Sequence, residues 1–303
     1  MSDQENKGKE KELGFGKSDS TTNARFINSD GSINVKRRGL PIIRPYDLYH
    51  SLITITWTKF LALTAGSFFF INFVFALVYT YLSRAAITAV ALEGGMQRFW
   101  DSFFFSVQTM TTVGYGAMGP VSNAAKVLSS IESFIGLLGI ALITGVLYGR
   151  FSRPKTKIKY SKNVLIAPYR DGKALMFKMA NQRSSKLIEA EVTVIFSYSK
   201  DGKQVFEKLP LELDKINFFA LSWTVVHPID DKSPLQKFDP SLQAEVVILV
   251  KAFDDTFSQI VYSRMSYLSN EFIWDAKFKS SIKEEDGKMM IDLGKLDDYV
   301  TVD

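Results

Sequence analysis

Between Lys59 and Arg84 the chain runs for 24 residues, "FLALTAGSFFFINFVFALVYTYLS" (60–83), without a charge. A helix needs about 20 mostly apolar residues to cross the hydrocarbon core of a bilayer. The segment is long enough, and its density of aromatic rings is unlike that of a soluble helix, so it is predicted to span a membrane. This limits everything near it in the fold. Backbone at membrane depth that is not helical must be buried in protein or line water.

A second candidate span runs from about Ser122 to Gly149. Ser133–Gly149 is uncharged, whereas Lys126 and Glu132 lie in its upper part. An acid placed there is expected to face protein or water rather than lipid. Lys36, Arg37, Arg38, Arg44 and Lys59 precede the first span, and Arg150, Arg153, Lys155, Lys157, Lys159 and Lys162 follow the second. Between the spans only Arg84, Arg98 and Lys126 occur, offset by Glu93, Asp101 and Glu132. The bias predicts a multi-pass protein of the plasma (inner) membrane with both termini cytoplasmic. "PYDLYHSLITITW" (45–57) suits a short helix lying on the membrane surface. Residues 1–30 are polar, lack the apolar core of a secretory signal and are expected to be disordered. The chain has no cysteine, which excludes disulfides and thiolate metal sites.

Between the spans, "RFWDSFFFSVQTM" (98–110) has the character of a short aromatic helix, and it runs directly into "TTVGYG". A helix that stops at membrane depth needs a pore around its end, and its C-terminal partial negative charge would favour a cation there. Gly114 and Gly116 allow positive φ at alternate positions, so that the carbonyls of Thr112, Val113, Gly114, Tyr115 and Gly116 can turn to one axis. Thr112 adds a hydroxyl oxygen. Stripping water from a small cation costs on the order of tens of kcal/mol, so the replacing oxygens must be dense. One chain supplies too few, and four chains around an axis supply rings of four; a homotetramer is implied. Thr-Val-Gly-Tyr-Gly is the pentapeptide of K⁺ filters, so K⁺ is assigned by recognition of the motif, as the permeant ion and the only metal expected.

After Pro154 the pattern changes. "ALMFKMAN", "IEAEVTVIFSYS", "AEVVILVKAF" and "SQIVYSRMSYL" are β-rich runs separated by turn signals such as "RDGK", "KDGK" and "HPIDDKSP". Many short strands with this punctuation favour a β-sandwich.

These stretches, with "NARFINSDGSINVKRRG" (23–39), the filter, "FSRPKTKI" (151–158), "IAPYRDGKALMFKMANQR" (166–183), "FFALSWTVVHPIDDKSPL" (218–235) and "SYLSNEFIWDAKF" (266–278), resemble inward-rectifier potassium channels, most of all the prokaryotic branch. The resemblance covers about residues 23–297. It implies a two-helix pore domain with a re-entrant pore helix and a C-terminal, all-β, immunoglobulin-like cytoplasmic sandwich. The expected order is a disordered tail (1–30), a cytoplasmic strand and interfacial slide helix (31–57), the pore domain (58–152) and the sandwich (153–303).

The resemblance also implies roles. Gly136 matches a glycine where the inner helix bends. Tyr148 matches the bulky residue of the bundle-crossing gate, where four rings can close the pore by contact and dewetting. Ile140 stands where strong rectifiers carry an acid, which speaks against tight polyamine block. Glu132 is left with two roles, a partial substitute for that acid or a brace for the pore helix. Glu189 and Asp254 match acids that line the cytoplasmic vestibule and concentrate cations. Arg150, Arg153, Lys155 and Lys157 match the stretch that binds anionic phospholipids of the cytoplasmic leaflet. "TITWTKF" lacks the arginines that flank the tryptophan in relatives with phosphoinositide activation. Gln108 replaces a usual pore-helix glutamate, and Ala117 and Met118 stand where a charged partner is common. A filter without that brace is expected to be less rigid.

His50 and His227, the two histidines, are expected to be structural rather than pH-sensing. No metal-ligand cluster, phosphate loop, catalytic triad or voltage-sensor arginine pattern occurs, so neither an enzyme, a resident cofactor nor a nucleic-acid partner is expected. The expected function is passive K⁺ conduction through an inward-rectifier pore gated at its inner bundle by the cytoplasmic domain and membrane lipid. The residues leave two rivals open: the pore subunit of an active K⁺ uptake system, and a membrane-anchored β-sandwich binding module without a pore.

Overall fold

The computed structural model describes residues 25–28, 31–35, 48–82, 86–88, 95–154, 156–183, 186–200, 203–238 and 243–302. The chain divides into two compact units, Leu40–Arg153 and the remainder.

The first unit is helical: α1 (Leu48–Thr54), α2 (Trp57–Tyr81), α3 (Gly95–Met110) and α4 (Asn123–Phe151). α2 and α4 carry the two predicted spans, with 25 and 29 residues. Their large apolar side chains mostly point outward. Leu61, Phe69, Phe70 and Phe73 are exposed, while α2 buries only Phe60, Asn72, Ala76 and Tyr79. A helix apolar all round, with its rings outside, is built for lipid. α4 begins at Ser122, whose hydroxyl accepts the Ala125 N–H at 3.2 Å. Its buried residues, Ala125, Glu132 and Gly136, form one narrow stripe toward its neighbours.

α3 is shorter and is fastened at both ends. At its start, Arg98 Nη2 donates to the Leu82 carbonyl at 2.6 Å, just past the end of α2. Unpaired carbonyls and the helix dipole both favour a cation there. The segments flanking α3 pair with each other: Ile87 bridges Pro120, Val121 N–H donates to the Ala86 carbonyl at 2.8 Å, and Gly119 N–H donates to Thr88 Oγ1 at 2.8 Å. Tyr79, Ala86, Ile87, Phe105 and Ala125 form the small apolar core beneath them.

The second unit is a sandwich of two five-stranded sheets. One sheet holds β1 (Ile158–Tyr160), β2 (Val164–Tyr169), β3 (Gly172–Asn181), β7 (Ser222–Ile229) and β10 (Phe272–Trp274); the other holds β4 (Leu187–Lys200), β5 (Lys203–Leu209), β6 (Lys215–Phe219), β8 (Ala244–Asp254) and β9 (Gln259–Leu268). All pairings in both sheets are antiparallel except β2 with β10. Phe177 and Met179 of one sheet and Val194, Phe196, Val246 and Ile248 of the other fill the space between them. The short strands β11 (Ala276–Phe278), β12 (Ile282–Glu285), β13 (Lys288–Ile291) and β14 (Tyr299–Thr301) form two hairpin-like pairs, β11–β14 and β12–β13.

β4 and β8 are apolar on both faces because both are covered. The outward Ile195 and Val247 pack with Ile27 and Phe26 of an N-terminal hairpin closed by an Ile27–Ile33 bridge. Glu245 accepts the N–H groups of Phe26 and Ile27, and Arg25 Nη1 pairs with Glu271 at 3.2 Å. Gly31 turns the hairpin at φ +80°, and a Cβ there would stand 2.7 Å from the Arg264 carbonyl oxygen. Residues 1–24 of the tail expected to be disordered lie outside the described residues. Residues 25–28, counted in that tail, are instead packed on the sheet, and with 31–35 they group with the β unit rather than with the interfacial helix.

His227 is fully buried in β7, with Nδ1 2.6 Å from the Pro210 carbonyl and Nε2 2.8 Å from Ser233 Oγ. The carbonyl can only accept, so Nδ1 carries the proton and Nε2 accepts from the serine. Burial lowers its pKa, against smaller opposing effects of the Pro210 carbonyl and Asp230. The folded state therefore binds this proton less readily than the unfolded chain, and stability present above the ordinary value of about 6.5 declines as the pH falls below it. The β unit should unfold at a lower temperature at pH 5 than at pH 7. His227→Gln should flatten that dependence in thermal unfolding followed by circular dichroism; equal pH slopes in the two proteins would contradict the assignment.

Candidate functional site

The chain leaves α3 through a specific hydrogen-bonded turn. Val113 N–H donates to the Gln108 carbonyl and Thr112 N–H to the Thr109 carbonyl, both at 3.1 Å. These are the paired bonds of a Schellman cap, which requires a left-handed residue just past the helix end. That residue is Thr112, at φ +63°. Glycine usually occupies such a position, and a β-branched residue there costs about 1–2 kcal/mol. Gly114 and Gly116 continue the alternation at φ +54° and +83°. Positive φ thus recurs at 112, 114 and 116, with Thr112 joining the two glycines that the sequence pointed to. The side chains of Val113 and Tyr115 are exposed in the single chain, as are all five residues of the motif.

Behind this segment lies a buried polar network. Tyr79 of α2 donates to Glu132 Oε2 at 2.8 Å, and Ser106 of α3 donates to Glu132 Oε1. Ser106 Oγ is also 3.0 Å from Asn72 Oδ1, and Asn72 Nδ2 is 3.1 Å from the sulfur of Met110. Asn72, Ser106 and Glu132 are 0% exposed. A carboxyl closed off within its own chain cannot line a pore, so of the two roles open to Glu132 the geometry supports the brace and removes it from the inner-pore residues. One turn further along α4, Gly136 faces the end of α3. A Cβ there would collide with the Met110 carbonyl oxygen and stand 3.1 Å from its Cα. Gly136 lies inside a continuous helix and serves close approach.

Gln108 supports the motif through its backbone carbonyl, the acceptor for Val113. Met118, where a charged partner was absent from the sequence, packs against the apolar core around Tyr79 and Phe105.

Ile140 and Tyr148 follow on α4, half and three-quarters exposed in the single chain. Next to Tyr148, Gly149 receives the Tyr49 hydroxyl of α1 where a Cβ would otherwise be. Arg150 then reaches α1 itself. Its Nη1 donates to the Leu52 carbonyl at 2.6 Å and its Nη2 to the Ile55 carbonyl at 2.9 Å. Its guanidinium also lies 4.6 Å from the Trp57 ring centroid and 4.7 Å from that of Phe60. Arg150 was expected at lipid; its fork is instead spent on the carbonyls of Leu52, in the last turn of α1, and Ile55, just beyond it, and on two rings. Arg153 and Lys157 are exposed, and Lys155 lies outside the described residues.

The two vestibule acids divide. Glu189 is exposed at φ +49°, in a bulge of β4 between Ile188 and Glu191, with its carboxylate 4.0 Å from Lys215 Nζ. Asp254 is 2% exposed, and its Oδ1 accepts the N–H groups of Thr256 and Phe257, closing the turn after β8. It cannot face a vestibule; the exposed acid of "AFDDT" is Asp255. The residues that sequence reading missed are Asn72, Tyr79 and Ser106. Asn72 was visible as an amide inside a 24-residue uncharged run, the kind of residue that membrane helices reserve for a partner.

Two family profiles match successive parts of the chain: "Ion channel" over residues 60–153 and "Inward rectifier potassium channel C-terminal domain" over 158–303. The inward rectifier potassium channel Kirbac3.1 of Paramagnetospirillum magnetotacticum is 36% identical over 283 residues, which cover 89% of this chain and 94% of that one. The ATP-sensitive inward rectifier potassium channel 12 of Mus musculus is 25% identical over 301 residues, 88% of this chain and 70% of that one. A solved structure of the Pseudomonas fluorescens alkylpurine DNA glycosylase AlkC aligns at 11% identity over 56% of this chain and 47% of that one, with a TM-score of 0.21, too low to bear on the fold. On the strength of the first relative and of both profiles, the chain belongs to the inward rectifier potassium channel family.

Proposed function

We propose that four copies of this chain form a K⁺ pore lined at its narrowest part by Thr112–Gly116, with Tyr148 as the inner constriction and both termini in the cytoplasm of the plasma membrane. The observation that carries this is the alternation of positive φ at Thr112, Gly114 and Gly116, directly after a helix that stops between two spans. Such a backbone turns consecutive carbonyls to one side, and rings of four carbonyls can replace the ion's water shell. Transport is passive: dehydration, coordination and release. The exposed Glu189 and Asp255 raise the local cation concentration, and Arg153, Lys155 and Lys157 attract anionic headgroups at about 1 kcal/mol each.

Glu132 positions the filter from behind. Removing it strands the Tyr79 and Ser106 hydroxyls in an apolar setting, at about 1–3 kcal/mol each. Arg150 couples α4 to α1. A lysine there keeps the charge but cannot bridge two carbonyls and lie flat on a ring.

Protein purified into liposomes should pass K⁺ without a second protein, with block by Ba²⁺. Gly114→Ala should abolish the flux while the tetramer persists on size-exclusion chromatography. Open space surrounds Gly114 in the single chain, so the substitution acts through φ, at about 1–2 kcal/mol per subunit. No flux from intact wild-type tetramers would overturn the proposal, and unchanged flux in Gly114→Ala would favour a binding module.

In single-channel records Glu132→Leu should shorten openings and Glu132→Gln, which retains an acceptor, should do so less; wild-type openings in Glu132→Leu would remove the brace from the account. Arg150→Lys should change basal flux and leave its dependence on anionic lipid unaltered, whereas Arg153→Gln with Lys157→Gln should weaken that dependence. The reverse pattern would return Arg150 to the lipid.

A further inference from the structure

The outer face of the β4–β8–β9 sheet carries a small patch built to hold a piece of extended chain. Val194, Phe196, Val246 and Ile248 point into the core, so Ile195 and Val247 point out, and these two stand in register. Ser266 of β9 is in register with Val247, and Glu245 lies two residues before Val247 on the same face of β8. Glu245 is only 7% exposed, yet it makes no ion pair among the described residues. The hydrogen bonds it accepts there come from the N–H groups of Phe26 and Ile27, at 2.8–3.2 Å. A buried carboxylate is costly unless donors meet it, and here the N-terminal hairpin supplies them.

Three consecutive residues of the hairpin are read by different groups. Arg25 pairs with Glu271 through Nη1 and donates from Nη2 to the Ser266 carbonyl. Phe26 and Ile27 present their N–H groups to Glu245, and the Ile27 side chain sits on Ile195 and Val247. The Ile27 carbonyl accepts from Ser266 Oγ at 2.6 Å. The segment has no core of its own: among its described residues only Ile27 is buried, and Ile33 and Val35 are about half exposed. A two-stranded hairpin without a core is marginal by itself in water, so this one orders as it docks.

We infer that this face is a peptide-docking surface whose resident ligand, residues 25–33, is replaceable, and that it accepts the same segment from a second copy of this chain. The surface recognises an arginine followed by two backbone N–H groups and an aliphatic side chain, in that order. The chain between Val35 and Leu48 reaches about 40 Å when extended, the size of a small domain, so a hairpin is not confined to its own sheet. Exchange of an identical element between copies keeps every contact and costs little. The surface lies wholly in the β unit and does not depend on the pore residues, and its test reads binding rather than conduction.

The full chain carrying Ile27→Asp, whose own hairpin no longer seats, is titrated in detergent with a fluorescent peptide of residues 23–35, and binding is read by anisotropy. Saturable binding is expected. The wild-type channel should bind the peptide about tenfold more weakly or worse, because its resident hairpin competes at an effective concentration of about millimolar. Gly31→Val in the full chain sets a side chain against the Arg264 carbonyl, leaves the face unaltered and gives a second receptor should Ile27→Asp fold poorly. Glu245→Gln added to either receptor should weaken binding about tenfold, the loss of a charge-assisted contact, and a peptide with Arg25→Ala should bind less tightly to the same degree. No saturable binding to either receptor, binding as tight in wild type as in the receptors, or binding unaltered when the peptide itself carries Ile27→Asp overturns the inference.

Discussion

The pore depends on where α3 stops, and α3 is held by a carboxyl. Helices in lipid gain little from apolar contact with one another, because the lipid tails are as apolar as leucine. Hydrogen bonds and close backbone approach must therefore fix the position of α3. Glu132 supplies the first by accepting from Ser106 on α3 and Tyr79 on α2. Gly136, one turn along α4, supplies the second at the Met110 carbonyl. Together they set the helix end from which the Schellman turn begins, and that turn places Thr112 in the left-handed region against its own preference. Strain of this kind persists only where the surroundings over-determine it. The network around Glu132 is what over-determines it here.

The same pairing of a glycine with a polar side chain recurs at the other end of α4. Gly149 admits the Tyr49 ring, and the neighbouring Arg150 grips the last carbonyls of α1. α4 thus has two fastened stretches separated by an exposed one that includes Ile140 and Tyr148. Each fastening joins it to a different element, the pore helix at one end and α1 at the other. A rotation of α4 large enough to move Tyr148 has to be shared by both contacts or break one. This gives the helix few intermediate positions, since a close glycine contact and a bidentate arginine are either made or lost.

Much of this was legible in the sequence, and the exceptions have physical causes. Both spans followed from uncharged length, the aromatic helix from its end at "TTVGYG", and the sandwich from short apolar runs between turn signals. The positive φ of Thr112 was not legible, because no residue preference signals a threonine in a glycine's position; only the cap's hydrogen bonds reveal it. Asp254 and Asp255 differ by one position at the end of a strand, and in a strand one position exchanges inside for outside. Arg150 read as one more basic residue below a span because sequence shows its charge and not its partners. Glu132 was placed correctly away from lipid, yet the choice between pore and brace needed Tyr79 and Ser106, 53 and 26 residues away in the chain.

The N-terminal hairpin changes how the two units are joined. Had residues 25–35 been a free tail, only the segment after α4 would tie the β unit to the helices. Ile27, Glu245, Arg25 and the fit of Gly31 against β9 instead fasten the hairpin to the sheet. The chain then enters the helical unit ahead of α1 and leaves it after α4. The β unit is therefore covalently connected to α1 as well as to α4, the two elements that Arg150 clamps together.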